Sequence, residues 1–440
     1  MEVDWPVSLL FLGDIGFVWP AFLRQLSLED FDQPVAGVAW PASLEKLSFG
    51  DGFNQAIADV VGPKNLQKLP FGASFNQHIA GLLWPPSLQQ PSFGASFDQP
   101  IAGFAWKAPL QDLSFGENFN QPIVGSWWPA SLLKLRFGRD FNQSMAGVKW
   151  PSSLQRLLFG RRFNQPIAGA RWPVSLLELE FGYCFNQPIT EVKWPPSLRQ
   201  VLFNGLFNKP IESAPGWPNS LEKLSFGLNQ AINQPVGEDL NQPIVCQPCV
   251  QSGPWPWSVT VPQTYFNQPV PDSLPASLQY LYFGAGFDKP IIEVWWPNNL
   301  RELYFGRGFD QPIVEVAWPE RLQKLSFGED FNNRPIVGIA WPERLQILWF
   351  GRRFNQPIIG VRWPDSLQQL SFGRSFNQPI TGVKWPKCLQ KLWFGHLFNQ
   401  SIAQVVWPES LQFMEPSREK ILTRWSNKSL KNRRLRDEIR

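Results

Sequence analysis

Two histidines and four cysteines are the chain's whole stock of imidazole and thiol groups, and their placement argues against catalysis or metal binding. His78 and His396 lie in distant parts of the sequence, each in a corner otherwise filled by Pro or a variable residue. Cys246-Gln247-Pro248-Cys249 is a single Cys-x-x-Cys. A zinc site needs two more Cys or His close by, and a dithiol redox motif needs a strand–helix–strand setting; the sequence offers neither. Cys184 and Cys388 stand alone. No Ser-His-Asp set, Cys-His pair or phosphate-cradling Gly loop occurs. Asp and Glu scatter over variable positions, so paired-carboxylate chemistry has no frame. The expectation is a non-enzyme without cofactor or metal.

What would position any functional side chain here is a tandem repeat of about 22 residues. A clean copy runs from Trp150 to Arg171 and reads Trp-Pro-x-Ser-Leu-x-x-Leu-x-Phe-Gly-x-x-Phe-Asn-Gln-Pro-Ile-x-Gly-x-x. About seventeen copies follow one another, some weak, from near Trp5 to about Phe413. Leu157 and Phe159 alternate with a variable residue, which is strand periodicity, and Val148 with Trp150 does so again. Gly and Pro punctuate both corners between them and leave no room for a long helix. With 23 Trp and 36 Phe, the apolar mass calls for a core drawn out along an axis. The predicted fold is mainly β, a parallel-sheet solenoid with one or two short strands per turn, plus a short C-terminal helix. Asn164 gives way to Asp at Asp32, Asp98, Asp288 and Asp310. An Asp keeps the side-chain oxygen and loses the amide donor, so the shared role is an acceptor, read as a local Asx-turn.

The run Pro-x-Ser-Leu-x-x-Leu-x-Phe-Gly-x-x-Phe-Asn-Gln-Pro-Ile, unbroken from Pro364 to Ile380, resembles the FNIP repeat, a relative of leucine-rich repeats. Trp stands before Pro where that family is expected to carry Leu. The resemblance implies a leucine-rich-repeat-like or β-helix-like solenoid that binds other proteins. Some members carry an N-terminal F-box; here the pattern starts almost at Met1, so no ubiquitin-ligase role is carried over.

Four segments are expected: a first sub-array over 1–203, degenerate repeats or a hinge over 204–277, a second sub-array over 278–413, and a basic tail over 414–440. The middle segment holds the Cys-x-x-Cys and Gly253-Pro254-Trp255-Pro256-Trp257; a decayed repeat explains it as well as a hinge. An extra residue in Phe331-Asn332-Asn333-Arg334-Pro335 should bulge from a corner without disturbing the stack. In the tail, Ser417–Arg440 has nine Lys/Arg against three Asp/Glu, leaving the repeats near −2 of the chain's +4. Ile421, Leu422 and Trp425 suit a capping helix face, while Lys431–Arg436 suits a nuclear-localisation or nucleic-acid patch.

Since consensus residues hold the stack, recognition is expected at variable positions. The residue between Leu and Phe on the first strand points away from the core, and after the break it is aromatic at Tyr282, Tyr304, Trp349 and Trp393, with Tyr280 alongside. These are candidate anchors for a protein partner, or rings packed on their strand neighbours. Arg136, Arg139, Arg161 and Arg162, and separately Arg352, Arg353 and Arg374, fall in adjacent turns. They form candidate basic stripes for an acidic partner or nucleic acid, or simply a solvated face. An acidic start, no h-region, no apolar run near the ~20 residues of a membrane span and few cysteines point to a monomeric, intracellular protein, cytoplasmic or nuclear. The leading expectation is a protein-binding scaffold, with nucleic-acid binding through the stripes and tail as the alternative.

Overall fold

The computed structural model describes residues 2–4, 19–57, 62–79, 84–104, 106–211, 216–227, 266–332 and 334–415. Chain contacts divide it into two units, the first mostly Met1–Phe207 and the second mostly Leu221–Cys246 and Pro256–Arg440. In the first unit ten short strands pair in sequence order, all parallel. They are β1 (Glu2–Asp4), β2 (Gln25–Leu28), β3 (Lys46–Phe49), β4 (Lys68–Pro70), β5 (Gln90–Ser92), β6 (Asp112–Ser114), β7 (Lys134–Arg136), β8 (Arg156–Leu158), β9 (Glu178–Glu180) and β10 (Gln200–Phe203). The second unit repeats the scheme with eight. These are β11 (Lys223–Phe226), β12 (Tyr280–Tyr282), β13 (Glu302–Tyr304), β14 (Lys324–Ser326), β15 (Ile347–Trp349), β16 (Gln369–Ser371), β17 (Lys391–Trp393) and β18 (Phe413–Glu415). Each unit is a parallel-sheet solenoid, and no helix occurs among the described residues. The expected C-terminal helix, with Ile421, Leu422 and Trp425, lies outside them.

One turn shows how the sequence makes the fold. The Leu157 side chain enters the core from β8 while its neighbours Arg156 and Leu158 face outward. Three β-turns close the circuit: Leu154 N donates to Pro151 O, Phe163 N to Gly160 O, and Ala170 N to Ile167 O. Gly169 holds the last of them with φ +77°, and nothing lies within 4 Å of where its Cβ would be. Gly160 has a different duty. A Cβ there would sit 1.5 Å from Gly138 O in the turn below, so only glycine lets the two backbones approach.

Inside run two columns of rings. Phe159 stacks on Phe163 at 4.0 Å within the turn, and each meets its equivalent next door, Phe159–Phe181 at 5.8 Å and Phe163–Phe185 at 6.0 Å. Indoles stack further on, Trp128–Trp150 at 6.3 Å. Parallel strands pair at about 4.8 Å, so within a unit the turns fan apart away from the sheet, and the sheet lines the inner side of the curve. That fanning explains why Val148 and Trp150, read from the sequence as a second strand, form none. Ladder bonds on that side are isolated, as between Trp127 N and Phe104 O at 3.2 Å, and Pro151 has no N–H to give.

Two side-chain ladders tie turn to turn. Ser153 Oγ donates to Leu132 O at 2.8 Å, and Ser131, Ser175 and Ser366 repeat that bond. Asn164 Oδ1 accepts from Asn186 N at 2.9 Å and from Gln187 Nε2 at 3.1 Å, both in the following turn. The acceptor role expected from the Asp substitutions is therefore the observed one; its local Asx-turn form is not. At Asp32, Asp98, Asp288 and Asp310 a carboxylate oxygen accepts the next turn's N–H in the same way.

The ladder also runs through both irregularities. Asn332 N donates to Asp310 Oδ1 at 3.1 Å, and Arg334 Nε, in place of the usual Gln amide, donates to Asp310 O at 3.2 Å. The extra residue thus leaves the stack in register, and β15 pairs with β14 as usual. In the second unit Phe226 stacks at 4.0 Å on Phe266, the contact that Phe159 makes with a residue four further on. Asn267 N donates to Asn208 Oδ1 at 3.0 Å. Residues 228–265, which contain Cys246, Cys249 and the Trp-Pro run at 253–257, lie outside the described residues.

Candidate partner-binding face

On the inner face of the second unit the outward strand residues form one register column: Ser225, Tyr282, Tyr304, Ser326, Trp349, Ser371 and Trp393. Beside it runs a second column through Tyr280, Glu302, Lys324, Ile347, Gln369, Lys391 and Phe413. All five expected aromatic residues thus share one sheet face. Their exposure is lower than the sequence implies, because side chains on the inner side of a curve converge. Tyr304 is 8% exposed and Ser371, between two indoles, 3%; Tyr280, Tyr282, Trp349 and Trp393 are half-buried.

The rings also contact one another. Tyr280 and Tyr304 lie 5.3 Å apart, Trp393 and Phe413 5.7 Å. Tyr304 donates its hydroxyl to Glu302 Oε2 at 2.7 Å, and Lys324 Nζ sits 3.0 Å from Glu302 Oε1. Burial, reinforced by Glu302, raises the Tyr304 phenol well above its usual range, and burial alone raises Tyr282. Both stay neutral hydrogen-bonding groups.

Four of the seven arginines of the expected basic stripes form ion pairs, most of them with carboxylates one turn away. Arg139 reaches Glu117 at 3.4 Å and Asp140 at 3.0 Å, and Arg162 also reaches Asp140, at 3.3 Å. In the second unit Glu329 lies between Arg307 and Arg352, at 3.1 and 3.5 Å, while Arg353 reaches Asp330 at 2.9 Å. Arg161 places its guanidinium over the Tyr183 ring, 5.4 Å from the centroid. Arg136 and Arg374 are exposed, and Arg136 acts electrostatically on Glu180, whose carboxyl is raised chiefly by burial. Shifting the sequence by one repeat reveals these acid partners; counting cations alone misses them. No cluster of three or more His, Cys, Asp or Glu suited to a metal occurs among the described residues. Cys184 is buried and disulfide-bonded, so the structure adds no support for a reducing compartment, and Cys388 is a free, exposed thiol.

The FNIP repeat model matches residues 141–184, 266–308, 287–330, 331–375 and 354–384. The chain carries FNIP repeats. It is similar to CroV588, a circular LRR protein, with 37% identity and a TM-score of 0.72 over 90% of this chain and 56% of that one. It therefore spans little more than half of that relative. A TLR13–ssRNA13 complex shares the fold at 13% identity and a TM-score of 0.51, over 89% of this chain and 64% of that one. No curated protein sequence matches the chain. No helix among the described residues is long and apolar enough to cross a membrane.

Proposed function

We propose that this chain is a non-catalytic scaffold that holds a protein partner on the inner strand face of its second unit. The observation that carries the reading is the in-register aromatic column. Tyr282, Tyr304, Trp349 and Trp393 occupy a position that the fold does not dictate, since the first unit fills it with Ser27, Ser48, Ser92 and Ser114. Tyr304 packs on Tyr280 and Trp393 on Phe413, and rings already held in this way have lost much of their side-chain entropy, which suits interface anchors. The ion-paired arginines give no comparable support to nucleic-acid binding. The test is affinity capture from cell extract with wild type and with Tyr282, Tyr304, Trp349 and Trp393 changed to Ser. Loss of specific partners from the variant is expected; an unchanged partner set sinks the reading.

A further inference from the structure

On the inner strand face of the second unit, large and small residues alternate from one strand to the next. Tyr304 is followed in register by Ser326, Trp349, Ser371 and Trp393. Parallel strands lie about 4.8 Å apart, so the rings recur about every 9.6 Å at the backbone. Side chains on the inner side of a curve converge, which makes the repeat slightly shorter at the ring tips. Trp349 and Trp393 are half-buried, and Ser371 between them is 3% exposed, so a ligand on this face meets the two indoles first. The charge around them is positive. Lys391, on the strand of Trp393, and Arg374, three residues after Ser371, are exposed and have no carboxylate in contact among the described residues. Glu302, further along the face, is already paired with Lys324.

We infer that this part of the face binds a proline-rich, acidic segment of the partner in the polyproline II conformation. Prolines three residues apart lie on Trp349 and Trp393, and an acidic side chain between or beside them turns to Lys391 and Arg374. The inference rests on the reading of this face as the partner site. A polyproline II chain has three residues per turn and rises about 3.1 Å per residue, so residues i and i+3 share one edge about 9.3 Å apart. Other backbones miss the pitch. A β-strand repeats its face every 6.6–6.8 Å or so, and an α-helix brings i and i+7 together about 10.5 Å apart. Convergence of the side chains moves the ring repeat towards the polyproline value and away from the helical one. A proline ring lies flat on an indole face, and polyproline carbonyls, which have no internal partner, accept from an indole N–H. The conformation is held before binding, so little entropy is lost on docking.

The experiment follows the fluorescence anisotropy of labelled peptides titrated with the full chain. The probe is Ala-Pro-Glu-Ala-Pro-Glu-Ala, and saturable binding with Kd on the order of 100 μM or tighter is expected for so short a contact. Three altered peptides test its chemistry without touching the protein: Ala in place of both prolines, one extra Ala between the prolines, and Lys in place of both Glu. Each should bind at least fivefold more weakly. On the protein side, Trp393→Ser combined with Ser371→Trp keeps the number of rings and halves their pitch, and should weaken the probe at least fivefold with unchanged circular dichroism. Absence of probe binding, equal affinity for the peptide with the extra Ala or for the one without proline, or undiminished binding by the folded double variant overturns the inference. Equal affinity for the Lys peptide overturns its acidic part. If the probe fails while the four-Ser variant still loses partners in affinity capture, the partner-binding face stands and the polyproline inference alone falls.

Discussion

At the residue scale the repeat separates atoms that matter from atoms that are only carried along. The Trp172 indole is nine-tenths buried, yet its N–H meets no acceptor among the described residues, and the same holds along most of the column. An unmatched buried donor costs about 1–3 kcal/mol, so the column is occupied for its ring area. Leu274 stands in it in the second unit. Trp172→Phe should therefore cost less than about 1.5 kcal/mol, because the lost volume is offset by the lost donor, whereas Trp172→Ala should cost about 3–5 kcal/mol; guanidinium unfolding midpoints distinguish them. The Asn164 column gives the opposite result, since its oxygen is used twice. Asn164→Asp should be tolerated and Asn164→Leu should cost about 1–3 kcal/mol. A pH effect follows at Asp32, whose carboxyl is held below the usual carboxylate range by the Asn54 N–H and then the Gln55 amide. The folded state thus favours the carboxylate. Its stabilisation is present above the unfolded pKa and disappears as pH falls through the lower folded one. Asp32→Asn should remove that share of the acid-limb slope, seen by comparing unfolding midpoints from about pH 5 down to about pH 2.

At the scale of the turn, two glycines of one repeat serve different physical needs and should respond differently to the same substitution. Gly169→Ala meets open space but a left-handed backbone, so it should cost about 1 kcal/mol. Gly160→Ala drives a methyl into Gly138 O and must push the stacked backbones apart. A drop in midpoint several times larger, or loss of the folded protein, is expected by circular dichroism. The contrast marks where sequence reading succeeds and where it runs out. The Leu157–Phe159 alternation is legible because a strand writes its own period of two. The Asn164 ladder reads from the sequence as a local turn because a single repeat displays only local offsets. Its partners Asn186 and Gln187 appear only when the repeat is shifted by about one period. The Arg139–Glu117 pairing is hidden for the same reason. The low exposure of Tyr304 and Ser371 is not legible at all. It comes from the difference between strand and ring-column spacing, and no residue pattern records that difference.

For a whole unit the contacts are nearest-neighbour, so stability should depend on the number of turns and on their phase. Removing 150–171 from the first unit deletes one complete circuit. Lys149 then leads into Trp172, β7 meets β9 with Lys134 opposite Glu178, and Asn142 Oδ1 faces Asn186 N as it now faces Asn164 N. Every ladder is re-formed by the equivalent residue one turn on, and Arg136 gains Glu180 as its strand neighbour. The shortened chain should keep its β-sheet circular dichroism per residue and unfold only a few degrees lower, as expected for the loss of roughly one interface in an array. Removing 163–173 deletes half a circuit with half as many residues. That puts the Gly160 corner where the Ile167 corner belongs, leaves Phe159 without Phe163, and strands Asn142 without a partner. Although it is the smaller deletion, it should be the one that destroys the fold, visible as loss of the cooperative thermal transition. If both deletions are tolerated alike, the column contacts do not set the register; if both unfold alike, the unit is not a nearest-neighbour stack.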